Sequence, residues 1–245
     1  MGAALAAISS LACDDVRYLI TAKAAPQERL PAHSFRGKQH VAEPVVLLHG
    51  VWMRSPALLM LSSRLRARGF APIRFDYASL FRAPSKSMEK LAMKLYSFGD
   101  RPVHLVGHSL GGLMAIETLN RYQKLPPGRV VCLGSPLAGS GTARLLHEKH
   151  LSFMTGKSGP LLRGGLMQVP NEREVGMIAG AKGRGLGQIV RKFDGLHDGT
   201  VAVWETRIPG LREHLVVPTS HTGLVFSKEV AEHTANFLEN GSFER

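Results

Sequence analysis

Pro102-Val103-His104-Leu105-Val106-Gly107-His108-Ser109-Leu110-Gly111-Gly112 is the stretch from which the architecture can be read. An apolar run through Val106 passes without a linker into a serine flanked by glycines. Behind it, Leu113, Ile116 and Leu119 recur at a spacing that buries one face of a helix. At so abrupt a strand-to-helix turn the serine backbone is held strained at the strand tip, and side chains at the flanking positions would collide. Gly107 and Gly111 occupy those positions. A Gly-x-Ser-x-Gly match alone arises often by chance, so the strand before it and the helix after it are what make Ser109 a candidate nucleophile.

Working outward, Pro44 leads into Val45-Val46-Leu47-Leu48, a continuous apolar run suited to a strand buried on both faces, and His49-Gly50 ends it. Ser55-Pro56 reads as a helix start with Ser55 as cap; Leu58, Leu61 and Leu65 line one face before Gly69. Phe70 to Tyr77 is the next expected strand, and Met88, Leu91, Ala92 and Leu95 form a helical stripe closed by Gly99. Beyond the serine helix, Pro126-Pro127-Gly128 breaks the chain before a strand at Arg129 to Leu133. Strands at Glu174 to Gly180 and His214 to Thr219 follow, separated by a glycine loop at 181–187, and a helix with Val230, Thr234, Phe237 and Leu238 closes the chain. This alternation predicts an α/β fold: a mainly parallel sheet of about six strands with helices on both faces. Residues 139–173 differ in character, being Gly-rich and basic with apolar clusters such as Leu145-Leu146 and Leu161-Leu162, and they predict a short cap or lid insertion. The expected organisation is an N-terminal extension over 1–43 and one domain over 44–245.

A chain of 245 residues with 44% hydrophobic content can bury a full core in one domain, and no apolar run is long enough to cross a bilayer. Of the two cysteines, Cys132 sits in a strand-like run and reads as a small buried hydrophobe. The Ala-rich start ending at Cys13 resembles a lipoprotein signal, but no Lys or Arg precedes Arg17 and Ser9-Ser10 interrupt it, so a cytoplasmic protein is expected. Net charge is +12, and between Arg54 and Arg101 ten Lys or Arg face only Asp76, Glu89 and Asp100. Solvated helix faces account for such a bias, and peripheral contact with an anionic membrane is compatible with it. Nucleic-acid binding is not expected, since no recognised module or interleaved aromatic pattern is present. The oligomeric state is not legible.

A serine hydroxyl needs a base, an acid to orient that base, and donors for the developing oxyanion. On folds built around this turn, the acid follows a late strand and the histidine follows the last, in that chain order. The order rejects most of the eleven histidines. His214 opens a strand and His233 lies within a helix, whereas His221 stands at the exit of the last strand and is the expected base. Asp198 and Asp194 compete as the acid; Asp198 is favoured because Asp198-Gly199-Thr200-Val201 passes from a turn into an apolar run, and Asp194 before Gly195 reads as a turn former. Oxyanion donors are expected from the amides of Leu110, next to the serine, and Val51, in the loop after the first strand. His49 is expected to shape that loop and Trp52 to line the acyl pocket.

With His49-Gly50, the Gly107-His108-Ser109-Leu110-Gly111-Gly112 turn, Asp198-Gly199-Thr200-Val201 and His221 in order, residues 44 to 240 resemble the α/β-hydrolase superfamily. Within it they are similar to small bacterial esterase or lipase-like proteins, a likeness also carried by Leu133-Gly134-Ser135-Pro136 and by Thr206-Arg207-Ile208-Pro209-Gly210. The resemblance implies an α/β-hydrolase fold lacking the first antiparallel strands of larger members, and two-step hydrolysis of a small-molecule acyl ester or lipid. It implies no metal and no organic cofactor. An acyltransferase or thioesterase using the same residues, or a catalytically silent protein holding a hydrophobic ligand, are the alternatives it leaves open.

Overall fold

Six strands, every neighbouring pair parallel, make one sheet in a computed structural model that describes residues 42–170, 172–183 and 193–244. The strands are β1 (Pro44–Leu48), β2 (Ala71–Phe75), β3 (His104–His108), β4 (Val130–Leu133), β5 (Val175–Gly180) and β6 (Glu213–Val217), ordered β2-β1-β3-β4-β5-β6. The reversal of order beside β1 and β3 is the switch point outside whose carboxyl ends ligands bind in open parallel sheets. The expected extension over 1–43, apart from residues 42 and 43, and most of the glycine loop lie outside the described residues, as does the Cys13 region.

Period two along buried strands distributes side chains to two cores. Val46 and Leu48 of β1 join Leu105, Val130, Cys132, Val175 and Met177 on one face. There they meet α2 (Pro84–Tyr96) through Met88, Leu91 and Leu95, and α3 (Leu110–Arg121) through Leu113, Met114 and Ile116. Val45 and Leu47 point the other way, with Val106, Val131, Leu133 and Ile178. That face is covered by α1 (Leu59–Ala67), through Leu61 and Leu65, and by the closing helix Lys228–Asn240, through Val230, Phe237 and Leu238. Both faces being covered explains why β1, β4 and β5 are continuous apolar runs rather than alternating ones. Cys132 is fully buried, which pushes its thiol up to about 12.

One local expectation is corrected. Ser55 does not cap the helix: a 3-10 turn spans Ser55–Leu58 with Arg54 at its cap position and no side-chain capping bond, and the Ser55 amide instead donates to Asp76 at 3.0 Å. A carboxylate across the loop supplies the acceptor that a capping serine would have provided.

The insertion between β4 and β5 contains α4 (Gly141–Glu148), two 3-10 turns over Ser152–Met154 and Gly156–Ser158, and α5 (Gly159–Gly164). Ser140 caps α4 by accepting the Ala143 amide at 3.1 Å. Buried Glu205 accepts the Gly141 amide at 2.6 Å with one oxygen and the Ala202 amide at 2.8 Å with the other, so one carboxylate joins the start of the insertion to the segment leading to β6.

At the other end of the Ser109 turn, α3 starts directly against β1. A Cβ at Gly111 would fall on the Leu48 carbonyl and 2.9 Å from the His49 carbonyl. Gly111→Ala is therefore expected to push α3 off β1 and cost about 3 kcal/mol or more in denaturant unfolding. A loss under about 1 kcal/mol would show that this contact yields easily.

Candidate active site

Ser109 sits between β3 and α3 with φ 54° and ψ −117°, a left-handed conformation that few non-glycine residues adopt. Such strain, of order 1–3 kcal/mol, persists only when the surroundings over-determine it. Here the Ser109 amide donates to the Leu133 carbonyl at 2.9 Å, and a Cβ at Gly107 would collide with the backbone of Gly112, so helix and strand tip are locked together.

His221 and Asp198 are brought together from either side of β6. His221 Nδ1 lies 2.7 Å from Asp198 Oδ2, and the His221 amide donates to the Asp198 carbonyl at 2.9 Å. Asp198 Oδ1 accepts the amides of Thr200 at 2.9 Å and Val201 at 2.7 Å, which fixes the carboxylate to its own turn. Burial raises the cost of its charge, but the His221 ring and these hydrogen bonds outweigh it and hold the carboxyl below its ordinary range. A carboxylate on Nδ1 implies that Nδ1 carries the proton and Nε2 the free lone pair. Gly134 lies under the pair: a Cβ there would be 3.1 Å from Asp198 Oδ2 and 3.2 Å from His221 Nδ1. Asp194, in contrast, is exposed in a turn where Gly195 has φ 79°, and His214 bonds Thr206 instead, at 2.8 Å.

The loop after β1 lies against the serine, since a Cβ at Gly50 would be 3.2 Å from Ser109 Cβ. His49 shapes it. Its buried ring stacks on Tyr77 at 4.3 Å, Nδ1 lies 2.9 Å from the Gly50 carbonyl, and the Tyr77 hydroxyl donates to the His49 carbonyl at 2.6 Å. Among the described residues the Val51 amide has no partner, and Leu110, as the first residue of α3, has an amide that the helix itself leaves unpaired. A cavity of about 520 Å³ opens here, lined by Ser109, His221, Val51, Trp52, Met53 and Pro136, and by Ala143, Leu146, Met154 and Leu162 of the insertion. The lining is mostly apolar. Trp52 faces it but is 61% exposed, and its indole N–H donates to the Met154 carbonyl at 2.6 Å.

His108 was not among the residues singled out from the sequence. Its Nε2 donates to the His221 carbonyl at 3.0 Å, its ring packs on that of His221 at 4.7 Å, and its buried Nδ1 has no hydrogen-bond partner. Burial, with His221 beside it, lowers its pKa to about 3, so the ring stays neutral. It thus positions His221 through backbone and ring alike. The only signal in the sequence was period two: His108 shares a strand face with Val106, the face on which β6 delivers His221.

The same burial makes the fold sensitive to acid. In the unfolded chain a histidine takes up its proton near 6.5, but His108 in the fold does not until about 3, so the unfolded state binds more protons between those values. Its contribution is complete above pH 6.5 and is lost as pH falls toward 3, reaching about 2 kcal/mol by pH 5. His108→Gln, which keeps a donor but cannot charge, is expected to flatten the fall in unfolding free energy between pH 7 and pH 5 by that amount. An unchanged pH slope would contradict the neutral ring.

The sequence pattern of the Alpha/beta hydrolase family matches residues 45–225, and the chain belongs to that family. No curated protein sequence matches it significantly. Among solved structures it is similar to a metagenomic carboxyl esterase, with 16% identity over 74% of this chain and a TM-score of 0.64; the chain spans 65% of that esterase's length. An esterase from Exiguobacterium antarcticum shares 15% identity over 81% of this chain and 92% of its own, with a TM-score of 0.58. The type II thioesterase of the borrelidin biosynthetic cluster shares 14% over 82% and 92%, with a TM-score of 0.56. At such identities the likeness is one of fold.

Proposed function

We propose that this hydrolase cleaves carboxylic esters through an acyl-enzyme on Ser109. The observation that carries the reading is the 2.7 Å contact of His221 Nδ1 with Asp198, on a histidine that shares an apolar cavity with a strained serine. In the first step Ser109 Oγ attacks the ester carbonyl while His221 Nε2 takes its proton; Asp198 steadies the resulting imidazolium, and the amides of Val51 and Leu110 donate to the tetrahedral oxyanion. His221 then gives the proton to the leaving alcohol as the carbon–oxygen bond breaks. Water, deprotonated by His221, attacks the acyl-serine, and His221 returns that proton to Ser109 Oγ as the carbon–oxygen bond breaks and the acid is released. Trp52 and the residues of the insertion that line the cavity, Ala143, Leu146, Met154 and Leu162, hold the acyl group, with no metal or organic cofactor taking part.

A panel of p-nitrophenyl esters of increasing acyl length, with Ser109→Ala alongside, tests this. Turnover by the wild type that the alanine variant lacks is expected. Folded wild type that cleaves none of them, or a variant as active as wild type, would overturn it. Thioester substrates and added alcohol acceptors in the same assay distinguish ester hydrolysis from thioester hydrolysis and acyl transfer.

A further inference from the structure

Three large aromatic side chains stand in solvent around one turn. Phe153 is 70% exposed, Trp52 61% and Phe81 79%. Hydrogen bonds between distant parts of the chain bring them there. The Trp52 indole donates to the carbonyl of Met154, next to Phe153. The Lys157 amide donates to the carbonyl of Leu80, next to Phe81, at 2.9 Å, and the Ser158 hydroxyl reaches the Ser79 carbonyl at 2.5 Å. The loop after β1, the loop after β2 and the turn of the insertion therefore form a single rim, and Trp52 and Met154 also line the cavity that holds Ser109.

Single exposed hydrophobes are ordinary, but three exposed aromatics on segments that hydrogen-bond into one rim mark a surface for a partner. Charge indicates which. Arg82, Lys149 and Lys157 are exposed on these same segments against the single acid Glu148, while Arg54 and Asp76 neutralise each other at 2.7 Å. Aromatic rings rest at the level of lipid headgroups and Lys or Arg beside them attract anionic ones, so rings and cations on one rim suit the surface of an anionic bilayer.

We propose that this rim docks the protein on an anionic phospholipid surface, and that the cavity behind it takes its acyl substrate from that surface. The second half rests on the Ser109 hydrolase reading; the docking itself does not.

Full-length protein is sedimented with vesicles of phosphatidylglycerol mixed with phosphatidylcholine, and with phosphatidylcholine alone. The expected result is binding to the anionic vesicles that weakens with added salt. The pairs Phe81→Ser with Phe153→Ser, and Arg82→Glu with Lys157→Glu, should each weaken it at least about tenfold. Both pairs should keep wild-type circular dichroism and wild-type turnover of a soluble short-chain ester, since none of these four side chains lines the cavity. The proposal is overturned if wild type stays in solution at low salt, if it binds phosphatidylcholine equally well, if both pairs bind as wild type does, or if a single-stranded oligonucleotide displaces the vesicles and binds more tightly at this rim. Absence of soluble-ester turnover with vesicle binding intact would instead sink the hydrolase reading alone.

Discussion

Ser109→Ala is expected to lower kcat for ester hydrolysis by about 10⁵-fold while leaving the fold in place. The hydroxyl is the only group removed, and an alanine at φ 54° bears the same backbone strain as the serine, so the hydrogen bond from residue 109 to the Leu133 carbonyl and the packing of α3 on β1 persist. Unfolding free energy should change by less than about 1 kcal/mol, as for substitutions that create neither a large cavity nor an unpaired group. What remains without the nucleophile is stabilisation of the oxyanion by the Val51 and Leu110 amides and binding of the acyl group. On related chemistry these leave a residual acceleration of about 10³–10⁴ over water. Measuring kcat together with a denaturant midpoint separates the two effects. A drop in kcat of only about tenfold with an unchanged midpoint would mean that another group attacks the ester.

Asp198→Asn should cost about 10³–10⁴ in kcat. An asparagine can keep its oxygen on the amides of Thr200 and Val201, because those bonds require only an acceptor. Its NH₂ then faces His221 Nδ1, where an acceptor stood 2.7 Å away. The ring responds by moving its proton to Nε2, and a protonated Nε2 cannot take one from Ser109. The loss falls on kcat and leaves acyl binding intact, so KM should change little. Asp194→Asn serves as comparison and should behave as wild type, since Asp194 is exposed in its turn. Equal losses in the two variants would mean that this carboxylate does not orient the base.

Where a feature depends on neighbours in sequence, it could be read there. The turn at Ser109 needs only an apolar strand, two glycines and a helical stripe within about twenty residues. β1, β4 and β5 are apolar throughout because both their faces are covered. The flanking strands were read less well. Phe70 to Tyr77 is apolar at both ends, but β2 pairs only over Ala71–Phe75; Phe70 and Tyr77 are buried by packing on either side of the ladder, which hydropathy cannot separate from pairing. β6 begins one residue earlier than His214 and ends at Val217, because its ladder with β5 runs from Glu213 to Val217.

Features made by distant partners were not legible. Ser55 gives its amide to a carboxylate 21 residues on, and Trp52 reaches a carbonyl 102 residues on. His108 gains its role from His221, 113 residues away. Chain order and strand position pick out His221 and Asp198 as a pair, and the structure brings the two into contact at 2.7 Å. No comparable rule reaches the insertion, whose α4 is fixed by Glu205 and by the bond of Thr142 to the Thr200 carbonyl at 2.8 Å.

The central claim is that Ser109, activated by His221, is the group that attacks. A fluorophosphonate probe followed by intact mass and peptide mapping tests it most directly, because the probe traps an activated serine irrespective of the natural substrate. The account predicts a single adduct on Ser109, absent from Ser109→Ala and formed orders of magnitude more slowly in Asp198→Asn. Folded wild type that stays unlabelled, or an adduct that forms equally in Ser109→Ala, would contradict it.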